Sequence, residues 1–238
     1  MAVKSESVLI NQNLKLAFRA ALVALAFFWA RSSSFSFLAV ISFTALFTIF
    51  YFRPIFNAGR FSVSALTLFF LVFLIPPLAS VSLEVYLTLM WGALFFTTLG
   101  VKNLVLLKRK GGYELVHSSL VFAMTALYFA GSLPQVLLFI ALFFLLREFY
   151  LGIDALSDFL PRLVLAAAII ALILVEAGWL LTFVPVSPIL GAGLITLSAF
   201  LLHDTLTHYL KGTLGRELIL RNITIFFLVA ILIVALPI

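Results

Sequence analysis

The chain contains no cysteine and few charged residues. Without cysteine it can form no disulfide, and thiolate catalysis, thioether-linked haem and cysteine-ligated iron–sulfur clusters are excluded. Charged residues make up 10% of the 238 residues, compared with roughly 25% in ordinary soluble domains. This composition excludes a water-soluble fold, because too few charged side chains are present to cover its surface.

Sequence motifs for nucleotide binding and hydrolysis are also absent. The chain has no P-loop, no GxGxxG and no GxSxG, so phosphate-cradling loops and nucleophile elbows are not expected. No lysine lies in the middle of an apolar run, which excludes a retinal Schiff base. We therefore expect no cofactor. The basic residues are not interleaved with a stacking platform, so we also expect no nucleic acid partner.

What the chain has in abundance is apolar sequence, with 65% hydrophobic residues. The clearest example is an apolar run at 163–184, a Pro185-Val186-Ser187-Pro188 turn, and a second apolar run at 189–202. Each run is long enough to cross a bilayer, and the turn is too short to hold a domain. We predict a transmembrane helical hairpin here.

The same pattern recurs along the chain, with no polar interval long enough for a soluble domain. We predict an all-α polytopic integral membrane protein, with nine transmembrane helices arranged as four hairpins and one C-terminal helix in a single domain, 1–238. A signal peptide is the competing interpretation of the first run, but Phe28-Trp29-Ala30-Arg31 offers no small-x-small cleavage site. The predicted spans cover residues 14–30, 35–52, 61–79, 85–101, 115–131, 133–150, 163–184, 189–202 and 223–238.

The basic residues predict the orientation. If the N-terminus is cytoplasmic, the inner segments hold fourteen of the fifteen lysines and arginines, and only Arg31 lies outside. This bias follows the positive-inside rule. We therefore predict a multi-pass cell-membrane protein with its N-terminus in the cytoplasm and its C-terminus outside. The short spans favour a bacterial inner membrane, and the basic ends favour contact with the lipid bilayer and its anionic headgroups on the cytoplasmic face.

Glu176 is the one charged residue inside the run at 163–184. It lies fourteen residues after Arg162, which is roughly 21 Å along a helix, in the predicted outer half of the membrane. An ionisable residue inside a span is costly and is therefore a functional candidate. It would carry a proton or cation, or anchor a polar partner helix. The alternative is a carboxyl group that reaches the outer interface or is protonated beside a hydroxyl.

All three histidines, His117, His203 and His208, are predicted to lie near the cytoplasmic interface. Helical spacing places Asp204 and His208 on one face, and His203 and Thr207 on an adjacent face. Imidazole nitrogens and a carboxylate are suitable ligands for a metal. The alternative is an Asp–His pair at the level of the lipid headgroups, so the presence of a metal stays open.

Asp154 and Asp158 form an acidic pair in the connection after the sixth predicted span. The predicted cytoplasmic face on which this connection lies is otherwise rich in lysine and arginine. Such a pair could bind Mg²⁺ together with a diphosphate, or could pair with surface arginines. Together with the predicted nine spans, this Asp154-x-x-x-Asp158 loop after the sixth span resembles the intramembrane aromatic prenyltransferases. That resemblance implies a magnesium–diphosphate site. It covers the topology and about fifteen residues, including a faint likeness at 53–60, and the family's first aspartate-rich motif is missing.

Three functions are consistent with these patterns. The favoured one is a non-catalytic subunit, scaffold or assembly factor with a membrane-protein partner. The second is a transporter or flippase for a small molecule or lipid that uses Glu176. The third is an intramembrane lipid-modifying enzyme, whose catalytic candidates are His117, His203, Asp204, His208, Asp154 and Asp158.

Overall fold

A computed structural model describes residues 2–53, 61–78, 80–102, 110–152 and 160–235. Helices account for 86% of the structure, and none of the described residues lies in a β-strand, which confirms the all-α prediction. The described helices are α1 (Ala2–Ser32), α2 (Phe37–Phe52), α3 (Ser62–Leu74), α4 (Val81–Lys102), α5 (Lys110–Phe129), α6 (Gln135–Gly152), α7 (Leu160–Leu181), α8 (Pro188–Leu210) and α9 (Arg216–Ala235).

Four helical segments are long and apolar enough to cross a membrane, and they fit a membrane location. They are Gln12–Ser32, Val81–Lys102, Pro161–Leu181 and Pro188–Leu210. Helices α2 and α3 are apolar but shorter, with 16 and 13 residues, and so span only about 24 and 20 Å. The nine-span topology therefore stays a prediction.

The chain divides into two compact units, Met1–Ser119 and Leu120–Ile238. The prediction of a single domain is left open by this division. In the first unit, α1 packs most closely against α4 and also contacts α2. Residues at the ends of α1 and α3 lie beside the start of α4, whereas the ends of α2 and α4 meet each other. The four helices therefore alternate in direction, as an up-and-down arrangement requires.

Aromatic rings fill the interior of the first unit. Trp91 of α4 stacks on Phe27 of α1 with ring centroids 4.8 Å apart, and on Phe95 at 5.4 Å. Its indole Nε1 donates a hydrogen bond to the Leu68 carbonyl of α3 at 2.9 Å. A buried indole that has both ring contacts and a hydrogen-bond acceptor fixes the positions of α1, α3 and α4 together.

Helix α3 ends at Leu74, whereas the apolar run predicts a span extending to residue 79. The physical reason is the Pro76-Pro77 pair, because proline lacks an N–H and disfavours helix at the preceding residue. Ile75 accordingly has an extended backbone, with ψ of 122°. A backbone carbonyl that loses its helical donor requires another hydrogen-bond partner, and Arg31 provides one.

The guanidinium of Arg31 uses all five of its N–H groups. It donates two bonds to the Glu84 carboxylate, at 2.7 and 2.8 Å, and three to the carbonyls of Val72, Ile75 and Pro76, at 2.9 to 3.1 Å. Its side chain is 2% exposed. The Val72 carbonyl is the one that Pro76 cannot bond, since position 76 has no N–H. Arg31 therefore joins the ends of α1 and α3 to the start of α4.

In the second unit, α7 packs against α6 and α8, and α8 packs against α9. The predicted hairpin is present: α7 ends at Leu181 and α8 begins at Pro188. The Ser187 side chain accepts a hydrogen bond from the Leu190 backbone N–H at 3.4 Å, and Pro188 occupies the first turn. Both features are favourable at a helix N-terminus. Close packing of α5 on α8 occurs where Gly191 meets the Phe129 ring.

Candidate functional site

The polar end of α8 is the candidate functional site. It carries the His203-Asp204-Thr205-Leu206-Thr207-His208 segment at the end of an otherwise apolar helix. The helix ends at the Lys211 C-cap, and Gly212 adopts a left-handed conformation with φ of 67°. Two different faces of this helical end pack against α6 and α9, and the polar residues divide between them.

His203 faces α6. Its ring lies 4.5 Å from the Phe149 ring centroid in an edge-on contact and is stacked on Tyr150 at 5.4 Å. Tyr150 is fully buried. Because both aromatic residues come from the last turns of α6, the ends of α6 and α8 lie at the same side of the second unit.

Three buried polar atoms on this face have no hydrogen-bond partner among the described residues: the Tyr150 hydroxyl, His203 Nδ1 and the Thr207 hydroxyl. His203 and Thr207 are one helical turn apart, and Tyr150 stacks on His203. Unpaired buried polar atoms are rare in native proteins. Groups of this kind can hydrogen-bond a buried water molecule or a small neutral polar group.

Asp204 faces α9 and is fully engaged there. Its Oδ2 accepts hydrogen bonds from Arg221 Nη2 at 3.0 Å and from Asn222 Nδ2 at 3.2 Å. Its Oδ1 lies 3.7 Å from His208 Nε2. Asn222 also donates to the Thr205 hydroxyl at 3.2 Å. Asp204 therefore fastens the start of α9 to the end of α8, which gives this carboxylate a positioning role in the fold.

His208 completes the arrangement on the α9 side. Its Nδ1 lies 2.9 Å from the Thr213 hydroxyl, which also donates to the His208 carbonyl at 3.3 Å. Each ring nitrogen of His208 therefore has a polar neighbour, Asp204 in the same helix and Thr213 in the loop that follows it. No group of three histidine, aspartate or glutamate side chains among the described residues is placed to hold a metal ion.

The remaining predicted residues lie elsewhere. His117 is buried in α5, within the first unit. Asp154 and Asp158 lie outside the described residues. Glu176 is exposed on α7. The structure thus brings Asp204 and His208 together on one face of α8, and places His203 on another.

The sequence indicated that α8 carries candidate site residues, but it did not indicate Tyr150 of α6. Only the packing of α6 on α8 shows that its hydroxyl shares a buried face with His203. A tyrosine at the end of an apolar run usually indicates an interfacial residue, so no pattern in the sequence could have marked it. Arg221 and Asn222, in the first turns of α9, bond to Asp204 and so hold α9 against α8.

No protein-family model, curated protein or solved structure matches this chain.

Proposed function

We propose that this protein is a non-catalytic subunit, scaffold or assembly factor of a membrane complex, which binds its partner through the Glu176 face of α7. We further propose that the chain crosses a bacterial inner membrane nine times, with its N-terminus in the cytoplasm. The observation that carries the proposal is the position of Glu176, an acidic residue exposed on a helix long and apolar enough to cross a membrane.

Helix α7 has two distinct faces. The face that packs inside the second unit includes Leu163, Ala167, Ala171 and Leu174, all at most 1% exposed. The opposite face carries Glu176 among exposed apolar side chains, which are Leu165, Ile169, Leu172, Ile173 and Leu180. Glu176 therefore points away from the packed interior and into the region that lipid or another protein occupies.

A carboxylate on a lipid-facing surface is unfavourable, by about 2.5–3.5 kcal/mol at the centre of a span and by less towards its ends, and Glu176 lies five residues before the end of α7. Among the described residues, none forms a hydrogen bond or an ion pair with Glu176. A transmembrane helix of another protein that carries a lysine, an arginine or a neutral hydrogen-bond donor would offset this cost. The apolar residues around Glu176 would supply the packing surface for that helix.

Two acidic residues with hydrogen-bonded partners support a structural role for this protein. Asp204 is bonded to Arg221 and Asn222, and Glu84 is bonded to Arg31. These carboxylates hold helices in place, which is what a scaffold requires. The division of His203 and Asp204 between two faces of α8 favours the same interpretation, because the enzyme alternative needs these groups in one pocket.

The proposed orientation agrees with the environment of Arg31. This arginine is the one basic residue that the proposed topology places outside. Its side chain is buried and all five of its donors are occupied. Since it is held by tertiary structure, Arg31 does not act as a flanking charge that sets topology.

The test compares Glu176→Leu with Glu217→Leu, which removes the same charge at the exposed start of α9. The tagged variants are expressed in the native host and extracted in a mild detergent. We expect the wild type and Glu217→Leu to run as a stoichiometric complex on native gels, and Glu176→Leu to show a smaller complexed fraction at an unchanged level in the membrane fraction. Loss of one interhelical polar contact of about 1 kcal/mol weakens association about fivefold.

Two results would overturn the proposal. One is the finding, by native mass spectrometry of membranes from the native host, that the wild-type protein is a monomer. The other is a Glu176→Leu variant that keeps its complex and loses a transport activity, which is the result expected of a transporter that uses Glu176 as a carrier group.

A further inference from the structure

The first unit has an open groove of about 750 Å³ along α1, beside the last turn of α2. Its apolar lining comes from Leu14, Ala17, Phe18, Ala21 and Phe50. Leu14 and Phe18 are 69% and 65% exposed, so the described residues leave this apolar surface open. The groove lies at the start of the membrane-crossing segment Gln12–Ser32.

Two cations, Lys15 and Arg19, also line the groove. They are four residues apart and therefore lie on the same side of α1. The position of Arg19 is fixed, because its Nη1 donates a hydrogen bond to the Arg53 carbonyl at the end of α2 at 3.3 Å. The Lys15 side chain is exposed and has no bonded partner among the described residues.

A third cation, Lys102, lies at the same end of the unit, since it and Arg19 both donate to carbonyls at the end of α2. It is 1% exposed and donates to the Tyr51 carbonyl. Within the described part of the chain, no carboxylate pairs with Lys15, Arg19 or Lys102. By contrast, Arg31 and Arg221 each have an acidic partner. This end of the first unit therefore has an excess of positive charge beside an apolar groove.

We propose that the groove binds one anionic phospholipid, with an acyl chain against the apolar wall and the phosphate on Lys15 and Arg19. The apolar lining distinguishes this ligand from free phosphate, which has nothing to place in the groove. A lysine or arginine near a headgroup contributes about 1 kcal/mol of attraction. The proposal depends only on a membrane location and is independent of the docking role of Glu176.

The experiment measures lipid retention by native mass spectrometry of the full chain. Detergent-purified protein is incubated with phosphatidylglycerol or phosphatidylcholine that carry the same acyl chains, with and without inorganic phosphate. We expect one phosphatidylglycerol to be retained at least fivefold more than phosphatidylcholine, and inorganic phosphate not to displace it. Equal retention of the two lipids, or displacement by inorganic phosphate, would overturn the proposal.

Variants test the charge and the groove separately. Lys15→Gln should lower retention of phosphatidylglycerol about fivefold, the equivalent of ~1 kcal/mol, whereas Lys211→Gln, at the exposed C-cap of α8, should leave it unchanged. Ala21→Trp should fill the groove and lower retention with the charges intact. Ala45→Trp places the same ring at an exposed position of α2 outside the groove and serves as its control. Equal losses in Lys15→Gln and Lys211→Gln would show general surface attraction and reject a defined site.

Discussion

Arg31 shows how a single side chain can replace helical hydrogen bonds. Pro76 leaves the Val72 carbonyl without a backbone donor, and the Arg31 guanidinium fills that position. The same group pairs with both oxygens of Glu84, and Glu84 Oε1 accepts a further bond from the Leu78 N–H at 2.9 Å. A planar group with five donors suits this set of acceptors, which a lysine could not satisfy.

We expect Glu84→Leu to destabilise the protein by about 3–5 kcal/mol, because it leaves the buried Arg31 charge without its partner. Arg31→Leu should cost about 2–4 kcal/mol, because it leaves the half-buried Glu84 carboxylate and the Val72 carbonyl unpaired. The double variant should cost at least ~2 kcal/mol less than the sum of the two. Unfolding in mixed micelles measures all three. Arg162→Leu, at an exposed arginine of α7, is the control and should change stability by less than about 0.5 kcal/mol. Additive losses in the double variant would argue against a coupled pair.

At the scale of single residues, the sequence identified unusual side chains more readily than their partners. Arg31 was visible as an exception to the charge bias and Glu176 as a charge inside a span. The partner of Arg31 lies 53 residues away in sequence. Finding it requires the relative rotation of α1 and α4, which neither composition nor spacing specifies.

At the scale of helices, the existence of each element followed from the apolar runs, while the ends depended on local chemistry. The sixth span is predicted over residues 133–150, and α6 covers Gln135–Gly152. The third run stopped early, because consecutive prolines cannot continue a helix. The apolar runs locate the helices. Which helices pack closely together depends on small residues such as Gly92.

Gly92 allows α1 and α4 to approach closely. A Cβ added there would lie 3.0 Å from the Ala24 Cβ of α1, and neither atom can rotate away. We expect Gly92→Ala to destabilise the protein by about 1–2 kcal/mol through overpacking. A chemical denaturation series in detergent would measure this loss.

Gly193→Ala is the matched control, since a Cβ at this helical glycine meets nothing within 4 Å. It should raise stability by about 0.5–1 kcal/mol, because alanine loses less backbone entropy in a helix. If the two variants behave alike, the α1–α4 contact does not depend on Gly92.

At the scale of the whole molecule, the class of protein was determined by composition, but the candidate site was not. The four helices that are long and apolar enough to cross a membrane follow from the length and polarity of the apolar runs. The grouping of Tyr150 with His203, and of Asp204 with Arg221, depends on which helices are neighbours. Which helices are neighbours depends on how side chains from distant parts of the sequence pack together. Hydropathy does not specify that packing.

The absence of native cysteine makes the proposed topology directly testable. Single cysteines at Ser34 and Thr182 should react with a membrane-impermeant maleimide in intact cells. Those at Glu114 and Gly215 should react only after permeabilisation. All four positions are exposed. A reporter fused after Ile238 that is active in the cytosol, or labelling of Glu114→Cys from outside, would contradict the nine-span arrangement.

The ion pair between Arg31 and Glu84 also has a consequence for biosynthesis. When α1 leaves the ribosome, its arginine has no acidic partner, because the glutamate is translated 53 residues later. Until then, the Arg31 guanidinium lies at the outer end of α1, where water can solvate it. The junction between α1, α3 and α4 should therefore form only after α4 has been inserted, so that the first four helices complete their packing as a group.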